Sequence, residues 1–114
     1  MRREGLLLEE MIDAAEQIML LLGGIDAAAL QADRLRRDAV LWNFSVLGEA
    51  AGRLPADFRL AHAKVDWISP TQMRNRIVHG YWTIEVERLL DTAAVDLPGY
   101  VQQMRAVLAT VDDQ

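Results

Sequence analysis

Apolar residues recur every three or four positions along most of the chain, the spacing of one face of an α-helix, and no stretch alternates as a strand does. Leu7, Met11, Ala14, Ile18 and Leu22 form the first stripe, with acids on the opposite face, and Gly23-Gly24 ends it. After Asp26 two stripes run together: Val40, Phe44, Leu47, Ala51 and Leu54 on one side, Leu35, Ala39, Trp42, Val46 and Ala50 on the other. A helix apolar over that much of its girth packs on several neighbours, so this segment is expected to be the central helix, ending before Pro55. Residues 56–67 carry little pattern and predict a short helical turn and a loop. "SPTQ" predicts the next helix start, with Ser69 as cap, Pro70 in the first helical position and Gln72 reaching back to the cap. A last helix is expected from Thr83 onward through Val86, Leu89, Ala93, Leu97, Val101, Met104 and Leu108. Pro98, which has no amide to donate and crowds the preceding turn, should kink or split it near Asp96. The expected fold is all-α, an up-and-down bundle of four or five helices.

The length, 114 residues, suits one domain, expected over 1–114, and is enough to bury a core without disulfides or metal. Cysteine is absent, which excludes disulfides, thiolate nucleophiles and zinc–thiolate sites. Glu9, Glu10, Asp13 and Glu16 interrupt every apolar run near the start, so neither a secretory segment nor a membrane span can be drawn, and a soluble cytoplasmic protein is expected. The net charge of −5 argues against a general nucleic-acid coater. Residues 70–82 depart from that balance, with two more basic than acidic side chains. Any site for a polyanion must therefore be local.

The local excess sits in "RNRIVHGYW", residues 74–82. At ~100° per residue, Arg74 falls between Ile77, Val78 and Tyr81, along the apolar face of its helix. A guanidinium there cannot shed its charge and needs a carboxylate, carbonyls or a bound anion. Glu49 or an acid of the last helix would make a structural ion pair, and a phosphate would make a binding site; both readings stand on sequence alone. Asn75 and His79, four residues apart, share a face, where the amide could orient the imidazole. Gly80 offers the backbone a way out of the helix, exposing His79 and Tyr81.

The form R-N-x-x-x-H-x-Y, here Arg74, Asn75, His79 and Tyr81, resembles the signature of the HEPN superfamily, specifically the HepT-like toxins that pair with minimal nucleotidyltransferase (MNT) antitoxins. "DAVLWNFSVLGEAAGRLP", "DWISPTQMRNRIVHGYWTIE" and "DLPGY" are similar to that family's segments in the same order, so the resemblance spans Asp38 to Tyr100. It implies a metal-independent endoribonuclease without a cofactor, working as a homodimer whose two motifs meet across the two-fold axis. By the same resemblance Arg74 would bind the scissile phosphate of RNA and His79 would be the general acid/base. Asn75 would orient them, and Tyr81 would line the site and receive AMP from the MNT-type nucleotidyltransferase antitoxin. The chemistry suits a dimer, because attack by the RNA 2′-hydroxyl wants a base, an acid and a cation, and one chain offers a single motif histidine.

Other candidates are weaker. His62 and Asp66 lack a third metal ligand at a compatible spacing and are expected to be a surface pair. Glu49 would pair with an arginine or support the cleft. Trp42, Trp67 and Trp82 could stack bases, but packing in the core or at a dimer interface is expected, with Trp82, nearest the motif, left open. The arginines of residues 34–37 are expected to form a solvated turn balanced by Asp33 and Asp38. No phosphate-binding glycine loop and no G-x-S-x-G elbow is present. The rival to the toxin ribonuclease is a non-catalytic HEPN-like subunit that binds a nucleotidyltransferase or nucleotide; a purely structural dimeric bundle would require Arg74 to be ion-paired inside its own core.

Overall fold

In a computed structural model describing residues 3–112, the chain forms α1 (Arg3–Leu22), α2 (Ala27–Ala32), α3 (Arg34–Arg53), α4 (Ala56–Ala61) and α5 (Ile68–Gly80). A 3-10 turn (Tyr81–Thr83) follows, then α6 (Val86–Asp91), a π-helical turn (Thr92–Asp96) and α7 (Leu97–Asp112). No strand occurs among the described residues. The architecture is the expected all-α bundle, with α1, α3, α5 and the continuous α6–α7 rod as its long members. No helix among the described residues is long and apolar enough to cross a membrane.

Gly24 ends α1 as expected, at φ 77°, a left-handed conformation that costs glycine little because it has no Cβ. Two boundaries differ from expectation. The central helix is split at Asp33, whose carboxylate accepts from the Arg36 amide at 3.0 Å while its own amide donates to the Leu30 carbonyl. Asp33 therefore closes α2 and caps α3, a local competition between aspartate and helix that an apolar stripe does not register. The next helix begins at Ile68, one residue before Ser69. Its cap is Asp66, whose Oδ1 accepts from the Ile68 and Ser69 amides at 3.0 and 2.9 Å. The interruption expected near Asp96 is present, as a widened turn between α6 and α7. The turn before Pro98 widens to π, with the Leu97 amide donating to the Thr92 carbonyl, and the rod continues through the position where the proline donor is missing.

The core lies where α1 packs on α3 and α7 and where α3 packs on α5. Leu8, Met11, Ile18, Val40, Leu41, Leu89 and Met104 are fully buried, and no polar or charged side chain is buried among the described residues. The buried stripe of α5 is Met73 and Ile77, while Val78 is exposed, so Arg74 stands at the edge of the apolar face and not along its middle. A peripheral helix with one main neighbour has only a narrow face to bury.

Gly48 lets α5 come close. A Cβ built there would lie 2.3 Å from the Pro70 carbonyl oxygen and 2.4 Å from the Arg74 Cβ. The second stripe of α3, in contrast, is covered only in part: Ala50 is buried and Val46 packs against the core, but Leu35 is 86% and Trp42 69% exposed.

Candidate active site

The polar residues of the motif gather on the C-terminal half of α5 and the turn after it, against α3. Arg74, directly over Gly48, sends one guanidinium nitrogen to Glu49 Oε2 at 3.3 Å and the other to Asn75 Oδ1 at 3.2 Å. Glu49 also lies 3.7 Å from Arg53, so it stands between two cations. The Arg74 side chain is 36% exposed. A pair this wet contributes about 0–1 kcal/mol to stability. Its physical effect is to hold the guanidinium in one place while leaving part of it open to an anion. The structural ion pair anticipated from sequence is thus present, at the surface and not in the core.

Asn75 is brought to Arg74. No hydrogen bond joins Asn75 to His79 among the described residues, although both are exposed on α5. Arg74 and His79 are five positions apart, roughly 140° round the helix at ~100° per residue, so within one chain they face different directions. His79 lies in the last turn of α5. Gly80 follows at φ −156°, an extended value open to any residue; what it spares is a crowded contact, since a Cβ would lie 2.8 Å from Thr83 Oγ1. That hydroxyl donates to the Gly80 carbonyl at 2.6 Å and closes the helix end.

Tyr81 reaches back to α3, where its hydroxyl donates to Asp38 Oδ1. Partial burial, the hydrogen bond to Asp38 and the charge of that carboxylate push its pKa above the ordinary tyrosine value, against the opposing pull of Arg34 and Arg37. Arg34 Nε faces the other oxygen of Asp38 at 3.5 Å. From the sequence Asp38 had no role in the site beyond charge balance and its place at the start of the family-like segment. No local signal links it to Tyr81, since the two are 43 residues apart.

Between the end of α5 and α3 lies a shallow hollow of about 440 Å³ lined by Asp38, Leu41, Trp42, Ser45, Ile77, Val78 and Tyr81. A larger groove of about 540 Å³ opens on the side of α7 and the π turn, and none of Arg74, Asn75, His79 or Tyr81 lines it. Trp67 is buried, Trp42 borders the hollow, and Trp82 is 86% exposed. His62 packs its ring 4.7 Å from Phe58, and Asp66 is engaged as the cap of α5. Among the described residues no three His, Asp or Glu side chains gather as metal ligands. Arg36 turns away from the site to donate to the Leu21 carbonyl at 2.9 Å, and Arg37 donates to the Gln31 carbonyl.

A family profile described as "Ribonuclease HepT-like" matches residues 11–107. The chain is similar to a protein of Thermococcus cleftensis named "Probable ribonuclease HepT", 29% identical over 91 residues that cover 80% of this chain and 83% of that protein. It is also similar to one of Caldanaerobacter subterraneus subsp. tengcongensis named "Putative RNase TTE0752", 26% identical over 101 residues, covering 89% and 90%. No solved structure matches the chain at a comparable level.

Proposed function

The chain belongs to the ribonuclease HepT-like family of HEPN proteins, and on that footing we propose that it is a metal-independent endoribonuclease, the toxin of a toxin–antitoxin pair. Residues 1–114 are taken as one such domain. The observation that carries the proposal is the arrangement on α5: a guanidinium held half-open by Glu49 and Asn75, with an exposed imidazole one and a half turns further along.

Arg74 and His79 diverge on one helix, so a single chain is poorly placed to bring both to one phosphate. Two chains related by a two-fold axis supply two imidazoles and two guanidiniums to a shared cleft. One His79 takes the proton of the RNA 2′-hydroxyl as its oxygen attacks phosphorus. The bond from phosphorus to the 5′-oxygen breaks, and the other His79 protonates that leaving oxygen. Arg74 stabilises the charge that builds on the non-bridging oxygens, and the products end in a 2′,3′-cyclic phosphate and a 5′-hydroxyl. Support for a second copy comes from α3, where Leu35, Ala39, Trp42, Val46 and Glu49 follow alternating steps of four and three, the spacing of a helix seam. Much of that seam is uncovered in the single chain.

Tyr81, beside the motif, is the hydroxyl on which an MNT-type nucleotidyltransferase antitoxin would place AMP. Nucleotide bulk and negative charge there would fill the cleft and compete with RNA phosphate for Arg74.

Purified protein, with intact mass showing no added AMP, should cleave RNA in excess chelator and leave cyclic phosphate ends. His79→Ala and Arg74→Ala should each lose at least about 10²-fold in rate. Unmodified protein that leaves total RNA intact would favour the non-catalytic, nucleotidyltransferase-binding subunit instead.

A further inference from the structure

His79 makes no side-chain hydrogen bond among the described residues, and it sits in the last turn of α5, where helices fray. A group that transfers protons has to be held, because a misplacement of about 1 Å can cost on the order of 10²-fold in rate. Within one chain, what holds the imidazole must therefore act through the backbone. Upstream, α5 is fastened by its close approach to α3 at Gly48. Downstream, the side-chain tie from the 3-10 turn to another helix is the hydrogen bond from the Tyr81 hydroxyl to Asp38.

Asp38 is well placed for this. Its carboxylate uses one oxygen for Tyr81 and presents the other to Arg34 Nε at 3.5 Å, one turn back on α3. The exposed Arg34 adds little to this, and the tie is the hydrogen bond from the hydroxyl to the carboxylate. The hydroxyl is protonated at neutral pH as any tyrosine is, and burial and the carboxylate push its pKa higher still.

We propose that Asp38 is a positioning residue for RNA cleavage, tying the 3-10 turn to α3 through Tyr81 and thereby fixing where the end of α5 presents His79. The inference rests on the ribonuclease reading and adds to it a residue that acts without touching RNA. It has a regulatory consequence. Any group bonded to the Tyr81 oxygen removes the proton that makes the tie, and a phosphodiester there would also set an anion against the Asp38 carboxylate. Modification would then displace His79 as well as block the cleft.

The test is single-turnover cleavage of a short oligoribonucleotide by unmodified wild type, Asp38→Ala, Tyr81→Phe, the double variant and Asp38→Asn, with amide hydrogen exchange measured on each. Asp38→Ala and Tyr81→Phe should each lower the cleavage rate about tenfold or more with substrate affinity within about twofold. The double variant should be no worse than the poorer single one. Asp38→Asn keeps an oxygen acceptor for the hydroxyl and should recover most of the rate. Exchange across 79–83 should quicken in Asp38→Ala while α3 and the melting temperature stay as in wild type. An unchanged rate in Asp38→Ala, or losses that add in the double variant, would overturn the proposal. Should wild type cleave no RNA, the ribonuclease reading itself fails, and unchanged exchange across 79–83 in Asp38→Ala would separately remove the tie.

Discussion

Gly48 sets how near α5 can come to α3, and with that the position of Arg74 relative to Glu49. The atoms a side chain would meet there are the Pro70 carbonyl oxygen and the Arg74 Cβ, neither of which can swing away as a long side-chain tip could. Gly48→Ala should push the two helices apart. We expect a loss of about 1–3 kcal/mol, measured as a lower urea midpoint, together with reduced RNA cleavage because the Arg74–Glu49 register shifts. A wild-type midpoint and rate would show that the helices can part at no cost. The motif residues themselves were legible in the sequence through their types and spacing. Their partners were legible only in part. Glu49 could be named as a candidate for Arg74, whereas Asn75 turned out to serve Arg74, and Asp38 was not connected to Tyr81 at all.

At the scale of the element, α5 depends on Asp66. Burial raises the pKa of its carboxyl, but hydrogen bonds from Ser69 and from the Ile68 amide outweigh this and hold it below the ordinary 3.8. A depressed carboxylate contributes stability that is present above its unfolded pKa and lost as pH falls through the folded one. Asp66→Ala should cost about 0.5–2 kcal/mol at neutral pH, the usual worth of a cap. In denaturant titrations from pH 7 downward, the gap between wild type and variant should stay level to about pH 5 and close below about pH 4. A gap that persisted at low pH would mean that the ionised carboxylate is not what caps the helix. Ser69 had the sequence signature of the cap and Asp66 has the position, a difference that depends on how the preceding loop turns. Pro98, in contrast, acts where its sequence position says, and the packing decides the form of the interruption, one wide turn and not a break.

For the whole molecule, the uncovered seam on α3 bears on assembly. Isolated exposed apolar residues need no explanation, but Leu35 and Trp42 lie exposed on one stripe of α3, and under the proposed function that stripe would take a partner helix. With a second copy as that partner, the protein should sediment as a dimer. Leu35→Glu and Trp42→Glu should each yield monomers with unchanged helical circular dichroism, because neither side chain is part of the core. Cleavage of RNA should fall with the dimer fraction. A monomeric variant with wild-type activity would place the complete site within one chain.

The sequence by itself determined the helical class, the stop at Gly24 and the concentration of candidate site residues at 74–81, since each depends on residues within a few positions of one another. It also marked both faces of α3 as apolar. Only the tertiary structure decided that one of those faces meets α1 and α5 while the other is left open at Leu35 and Trp42, that Arg74 sits at an edge, and that Asp38 accepts from Tyr81. The physical reason is that periodicity records how apolar a face is, whereas what covers that face and which polar groups meet beside it depend on how helices distant in sequence pack together.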